Sequence, residues 1–254
     1  MNKPTLLVNA KKEGHLLAQA INNEKKKEKM LISISDKLVD DEPYITEILD
    51  NKYTFFHLPN DKAKRDCLYV CGPNQAGKST YVSKYLSRFC KANPDTPITV
   101  ISKIEQDDVL DSIKNVERLP VDEFEFGDEG LDQFADTLMV FDDVDQIHDP
   151  EKRSMVVNCI NEVMCHGAHY NINICITNHL MSDYKNTRTI LNECSSITVF
   201  PKSGCSHQLN YVLKNYIGMG PEDIQRVKSL NSRWVTVFKN YPIAVLHQNG
   251  VYLL

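Results

Sequence analysis

The sequence predicts an α/β fold in which a mostly parallel sheet is flanked by helices. The first observation behind this prediction is the alternation of strand-like and helix-like segments from Cys67 onward, a pattern typical of parallel sheets covered by helices. The second is a G-x-x-x-x-G-K-[ST] motif, from Gly72 to Ser79, which follows a short apolar run. The third is an Asn249-Gly250 pair between two short apolar runs, which predicts a C-terminal β-hairpin.

The elements follow from hydrophobic periodicity, taken in chain order. We predict the strands of the main sheet at residues 67–71, 97–102, 137–142, 172–177 and 196–200. Apolar residues at helical spacing between Tyr81 and Phe89 predict a helix directly after the glycine-rich motif. A second amphipathic helix includes residues 155–164 and ends at Gly167. We predict short helices at 206–216 and 221–230, and closing strands at 233–238, 243–247 and 251–254.

The chain divides into two parts by composition. Residues 65–254 carry the alternating pattern and form the predicted core. Residues 1–64 are expected to form an N-terminal extension or small subdomain. Within it, the charged run at residues 24–29 is typical of a solvated helix surface.

Composition limits the classes of function. The 254 residues carry a formal net charge of −5, which argues against a protein that coats nucleic acid with its whole surface but permits a local DNA channel. We find no apolar run long enough to span a membrane and no signal segment, and none of the eight cysteines forms a C-x-x-C pair. We therefore expect an intracellular protein without a membrane partner.

The glycine-rich motif predicts a phosphate loop that binds a nucleoside triphosphate. Gly72 and Gly77 let the backbone curl so that successive N–H groups point at phosphate oxygens, at the positive end of the following helix. Lys78 would reach the β- and γ-phosphates, and the Ser79 hydroxyl would coordinate Mg²⁺. The predicted nucleotide-binding residues are Gly72, Pro73, Asn74, Gln75, Ala76, Gly77, Lys78, Ser79 and Thr80. The predicted cofactors are ATP and Mg²⁺.

A second motif supplies acids at the end of another strand. The run Leu-Met-Val-Phe-Asp-Asp ends in Asp142 and Asp143, which has the form of a Walker B motif. Asp142 would hold Mg²⁺, and Asp143 would orient or deprotonate the attacking water. The sequence between Lys78 and Asp142 leaves room for a helix and a further strand, as nucleotide hydrolases require, although a nucleoside kinase also fits.

A third polar group follows the strand at 172–177. Asn178 or Thr177 would lie at the sheet edge where open α/β sheets bind ligands, and either could sense the γ-phosphate. We assign the catalytic roles to Lys78, Asp143 and Asn178. His179 and His169 are interpreted as ordinary hydrogen-bonded histidines.

These motifs together resemble the genome-packaging ATPases of large double-stranded DNA viruses, in the FtsK–HerA branch of P-loop ATPases. The resemblance covers residues 65–254 and is carried by residues 72–80, 141–143 and 175–179, with 232–235 and 241–242 in the tail. It implies a P-loop NTPase core of the ASCE, RecA-like type, assembled as a homo-oligomeric ring, a hexamer or a pentamer. Such a ring would hydrolyse ATP to drive double-stranded DNA into a capsid, which makes DNA and capsid or portal proteins the implied partners.

The sequence departs from this family at one point. Relatives often carry an arginine–histidine pair before the sensor strand, whereas this chain has Gly167-Ala168-His169. An arginine that reaches a neighbouring subunit's nucleotide would then come from elsewhere or be absent, and Arg153, Arg188 and Arg233 are the candidates.

Of three alternatives, the first is set aside and the other two stay open. The segment around Gly72 also resembles the phosphate loop of MutS-type DNA clamps, but that resemblance ends at Tyr81. A nucleoside or polynucleotide kinase would use a small acceptor in place of water. A nucleotide-binding structural subunit with vestigial hydrolysis is the third.

Overall fold

The strands of this protein form two sheets, and the small sheet packs with the large one and α1 in one of two hydrophobic clusters. A computed structural model describes residues 4–9, 14–35, 44–59, 65–127 and 130–254. In that part of the chain, a four-stranded antiparallel sheet packs beside a ten-stranded mixed sheet. The predicted α/β class with a mostly parallel central sheet is confirmed.

The strands are numbered in chain order. They are β1 Thr5–Val8, β2 His15–Asn22, β3 Lys29–Ser35, β4 Glu47–Leu49, β5 Tyr53–His57, β6 Cys67–Cys71, β7 Ile98–Ser102, β8 Val116–Pro120, β9 Leu138–Asp142, β10 Asn173–Asn178, β11 Ser196–Val199, β12 Val235–Phe238, β13 Ala244–His247 and β14 Gly250–Leu253. The helices are α1 Lys78–Ala92, α2 Pro150–His166, α3 Tyr184–Glu193, α4 Ser206–Val212 and α5 Pro221–Ser229.

The large sheet has a parallel centre and an antiparallel wing. Its order is β4-β14-β13-β12-β11-β6-β10-β9-β7-β8. Each pair of neighbours from β11 through β8 is parallel. Each pair from β11 through β4, in the other direction, is antiparallel. The five predicted core strands are present with ends shifted by at most one residue. The predicted C-terminal hairpin, β13–β14, is confirmed and continues the sheet.

The position of β10 determines what the sheet brings together. This strand lies between β6, which leads into the predicted phosphate loop, and β9, which ends in the two aspartates. The two strands that separate these motifs in sequence, β7 and β8, lie instead on the far side of β9. The carboxyl ends of β6, β7, β9 and β10 therefore meet at one edge, where open α/β sheets bind ligands.

The helices cover the parallel strands with the faces that the periodicity predicts. In α1 the buried residues include Tyr81, Val82, Tyr85, Leu86 and Phe89. Helix α2 starts at Pro150 after an Asp149 N-cap and ends before Gly167. A Cβ atom added at Gly167 would lie 2.5 Å from the carbonyl oxygen of Val163. Only glycine therefore fits this position without a collision. The α4 helix continues as a π-helical turn at Leu213–Ile217, and α5 has its proline in the first turn.

The N-terminal segment is built from strands. Strands β1, β3, β2 and β5 form the small sheet, whereas β4 pairs with β14 at the edge of the large one. The charged run at 24–29 lies in the turn between β2 and β3 and at the start of β3, so its interpretation as a helix surface is wrong. Apolar residues of the small sheet, such as Leu17 and Phe55, pack in the same core as α1.

His57 at the end of β5 is a buried contact between the small sheet and α1. Its imidazole Nδ1 lies 2.8 Å from the hydroxyl of Tyr81, and its ring centre lies 5.1 Å from that of Tyr85 and 5.0 Å from that of Phe238. Burial, followed by the positive charge of Arg88, lowers the pKa of His57 to about 3. The histidine is therefore part of the core in its neutral form.

Among the residues described, none of the helices combines the length and the apolar character that a membrane crossing demands.

Candidate functional site

The predicted phosphate loop links β6 to α1 with two residues in left-handed backbone conformations. Gln75 has φ 62° and Gly77 has φ 111°. At Gly72 an added Cβ would lie 2.7 Å from the Phe200 ring, so a side chain there would collide with a buried aromatic residue. The loop is also tied to the sheet, because the Gly72 amide donates to the carbonyl of Asn178 at 3.1 Å. The local backbone thus has the turn that the motif requires.

Lys78 is the first residue of α1, and its side chain is folded back over the loop. The ammonium nitrogen Nζ donates to the Gly72 carbonyl at 3.1 Å and lies 3.4 Å from Asp143 Oδ1. The residue is only 8% exposed. A cation held at this position lies between the loop and the acids of β9, where the charge of a triphosphate would be bound.

The two aspartates share a hydroxyl from β10. Thr177 Oγ1 lies 2.9 Å from Asp142 Oδ1 and 3.1 Å from Asp143 Oδ1, so its proton serves either carboxylate. The same oxygen accepts the Asp143 amide at 2.8 Å, where the backbone is left-handed with φ 48°. Ser102, opposite Asp142 in the sheet register, donates to Asp142 Oδ2 at 3.2 Å.

Burial raises the pKa of Asp142, and the negative charge of the neighbouring Asp143 raises it further. The hydroxyls of Thr177 and Ser102 act in the opposite direction because they stabilise the ionised form. A divalent cation at this carboxylate would offset both destabilising effects. The predicted ligands Asp142 and Ser79 are oxygen donors, which suit Mg²⁺, so the donor set fits the ion.

Asn178, the predicted sensor, lies on the other face of β10 from Thr177. Successive side chains of a strand point to opposite faces. The Asn178 amide donates to the Tyr69 hydroxyl at 3.2 Å, and within the described residues its buried Oδ1 has no hydrogen-bond partner. The structure therefore brings Thr177 to the carboxylates of Asp142 and Asp143 and directs the Asn178 side chain toward Tyr69.

Two residues that sequence reasoning did not place in the site are found there. His179 follows β10 directly, with its Nε2 3.6 Å from Asp143 Oδ2 and its Nδ1 3.3 Å from Asp145 Oδ1. The signal that could have located His179 is its position at the carboxyl end of a parallel strand. Ser102, the last residue of β7, could have been found by the same rule.

The three candidate arginines have different surroundings. Arg233 donates from Nε to the carbonyl of Ala76 at 3.0 Å and from Nη2 to that of Gln75 at 3.4 Å, so it contacts the loop of its own chain. Arg153 lies 3.5 Å from Asp183 in an ion pair. Arg188 is an exposed residue of α3.

Comparison with known proteins gives one sequence relative. No family model matches the chain. It is 37% identical over 188 residues to protein V3 of Sputnik virophage, which is described as uncharacterized, and the match covers 73% of this chain and 76% of V3.

Two solved structures share the fold. The genome packaging NTPase B204 of Sulfolobus turreted icosahedral virus 2, in complex with AMPPCP, has a TM-score of 0.51 and 16% identity, over 72% of this chain and 97% of B204. The pCW3 conjugation coupling protein TcpA with ATPγS has a TM-score of 0.50 and 13% identity, over 92% of this chain and 76% of TcpA. The chain therefore belongs to the family of the Sputnik virophage protein V3, and it has the fold of viral genome-packaging ATPases of the FtsK–HerA type.

Proposed function

We propose that this protein is an ATP-hydrolysing motor that translocates double-stranded DNA and packages a viral genome into a capsid. The observation that carries the proposal is the position of Lys78, whose ammonium group lies between the loop carbonyl of Gly72 and the carboxylate of Asp143. The fold shared with B204, a genome packaging NTPase, supports the same conclusion.

The proposed chemistry is the attack of water on the γ-phosphorus. A bond forms between the water oxygen and phosphorus, the bond to the bridging oxygen of the β-phosphate breaks, and Asp143 accepts the water proton. Lys78 exchanges its contact with Asp143 for the β- and γ-phosphate oxygens and stabilises their charge. Residues 74–80 would cradle the phosphates with their backbone N–H groups, whereas Gly72 donates its amide to Asn178 and Pro73 has no N–H.

Asp142 and Ser79 would hold Mg²⁺ at this edge. When bound, the ion neutralises charge on the β- and γ-phosphate oxygens. Ser102 and Thr177 keep Asp142 ionised and oriented through their hydroxyls, at 3.2 Å and 2.9 Å. We keep Asn178 as the proposed γ-phosphate sensor, which would act from the face of β10 opposite Thr177.

The finer parts of the proposal concern assembly. Residues 65–254 would form the ATPase core and residues 1–64 its N-terminal extension. Copies of the chain would form a ring, a hexamer or a pentamer, around duplex DNA in the host cytoplasm, with capsid or portal proteins as further partners. Because Arg233 contacts its own loop, we propose Arg153 or Arg188 as the arginine that reaches the neighbouring subunit's nucleotide.

The test is the rate of ATP hydrolysis by the purified protein with and without long double-stranded DNA, with the mass of the oligomer recorded in the same buffer. We expect DNA to stimulate turnover in a ring-sized species, and Lys78→Ala to abolish it because the phosphate clamp is removed. Turnover that appears only with a nucleoside acceptor would favour a kinase. Bound nucleotide without turnover would favour a structural subunit.

A further inference from the structure

His179 stands between two carboxylates at the edge of the candidate site. Its Nδ1 lies 3.3 Å from Asp145 Oδ1, and its Nε2 lies 3.6 Å from Asp143 Oδ2. The second distance is slightly longer than a hydrogen bond, and catalytic contacts are often long before the substrate binds. The imidazole therefore joins the predicted catalytic acid to a second acid that the proposed reaction does not use.

Asp145 fixes the place of the histidine. Its Oδ2 accepts the backbone amides of His179 at 2.9 Å and Leu180 at 3.0 Å, so the carboxylate holds the chain where it leaves β10. The side chain of Asp145 is 8% exposed, whereas those of His179 and Asp143 are 22% and 25% exposed. A buried anchor thus presents the imidazole to a carboxylate that solvent and substrate can reach.

The two oxygens of Asp143 have separate partners. Oδ1 faces Lys78 at 3.4 Å and Thr177 at 3.1 Å, whereas Oδ2 faces His179. When Lys78 turns to the phosphates, Asp143 loses one of these contacts. The contact on Oδ2 would then become more important for keeping the carboxylate in place.

We propose that His179 is a positioning residue, which orients the Asp143 carboxylate through Nε2 while Asp145 holds the ring through Nδ1. This inference rests on the proposed function, because orientation of Asp143 has a kinetic effect only if Asp143 acts in hydrolysis. The ligand atoms of the three residues lie within 4.8 Å of one another, which is also compatible with a metal ion. The two amides already bound by Asp145 favour the positioning role.

Two amide substitutions separate the contacts of the ring. In His179→Gln the amide nitrogen occupies about the position of Nε2 and can donate to Asp143. In His179→Asn it occupies about the position of Nδ1 and can donate only to Asp145. A hydrogen bond to a charged group accounts for about 10- to 100-fold in rate when it acts in the transition state.

The experiment measures kcat, KM and nucleotide affinity for wild type, His179→Ala, His179→Asn and His179→Gln. We expect kcat to fall about 10- to 100-fold in the Ala and Asn variants and to recover in the Gln variant, with KM and affinity unchanged in all three. His169→Ala, a substitution of an exposed histidine in the turn before β10, serves as the matched control and should retain wild-type turnover.

The outcomes separate this inference from the proposed function. If wild type hydrolyses ATP and all three variants match it, or if Asn restores turnover as well as Gln does, positioning through Nε2 is wrong and the proposed function stands. Equal losses in Gln and Ala would also overturn it. If wild type turns over ATP no faster than Lys78→Ala, the proposed function fails and the inference fails with it.

Discussion

Replacement of Thr177 by valine tests the arrangement of the two aspartates. Valine has nearly the shape of threonine, so the substitution at this fully buried position removes a hydroxyl without opening a cavity. In the wild type the Thr177 hydroxyl accepts the Asp143 amide at 2.8 Å and donates to the Asp142 carboxylate at 2.9 Å. The valine variant loses both hydrogen bonds. The lost acceptor costs about 1 kcal/mol and the lost donor to a carboxylate about 1.5 kcal/mol, so we expect the free energy of unfolding to fall by about 2.5 kcal/mol.

The same substitution should slow hydrolysis. The carboxylates of Asp142 and Asp143 would lose their shared donor, and we expect kcat to fall about 10- to 100-fold while nucleotide affinity changes little. Denaturant unfolding and phosphate release measure the two effects. Thr177→Ser keeps the hydroxyl and should retain most of the turnover. The reasoning is refuted if the valine variant hydrolyses ATP as fast as the serine variant.

Three further predictions concern the loop and the core. Arg233→Ala should raise KM for ATP about 2- to 10-fold with kcat preserved, because two hydrogen bonds to loop carbonyls are lost. A large loss of kcat at saturating ATP would indicate instead that this arginine acts on a neighbouring subunit. Gly77→Ala should lower the free energy of unfolding by about 1–2 kcal/mol because φ is 111° there, and Gly127→Ala, with open space around it, should show no such loss. Since the folded pKa of His57, about 3, lies below its unfolded value, acid favours the unfolded chain and stability falls as pH drops. Between about pH 7.5 and about pH 5.5, the free energy of unfolding of the wild type should fall by about 1.4 kcal/mol more than that of His57→Phe. Equal decreases in the two proteins would contradict this prediction.

The parallel core could be predicted because its strands are buried on both faces. Strand β6, with all five residues buried, reads as a short continuous apolar run, and β9 has the same character. Strand β8 was not predicted, since it is a half-exposed edge strand that contains charged residues and ends in a proline. The small N-terminal sheet was not predicted either. Its strands mix polar with apolar residues, and a lysine-rich turn connects β2 to β3, so they lack the continuous apolar runs of the parallel core.

The candidate site was predictable where a local motif fixes the chemistry. The loop around Lys78 is one continuous segment, and the acids at the end of β9 are another, so each could be recognised from its own sequence pattern. Their contact with Thr177, and the place of His179, depend on which strand lies between β6 and β9. No local pattern carries that information, because strand order is a property of the assembled sheet. The sequence also could not show which side chain at the end of β10 faces the aspartates; in the structure it is Thr177, whereas Asn178 faces Tyr69.

The most direct test of the account is ATP hydrolysis by wild type and by Asp143→Asn, measured at saturating nucleotide with and without long duplex DNA. The substitution keeps the size of the side chain but removes the carboxylate that lies 3.4 Å from Lys78. We predict that duplex DNA stimulates the wild type, and that the variant binds nucleotide but does not hydrolyse it. Wild-type turnover by Asp143→Asn would contradict the assignment of the catalytic carboxylate, and turnover indifferent to DNA would contradict the motor.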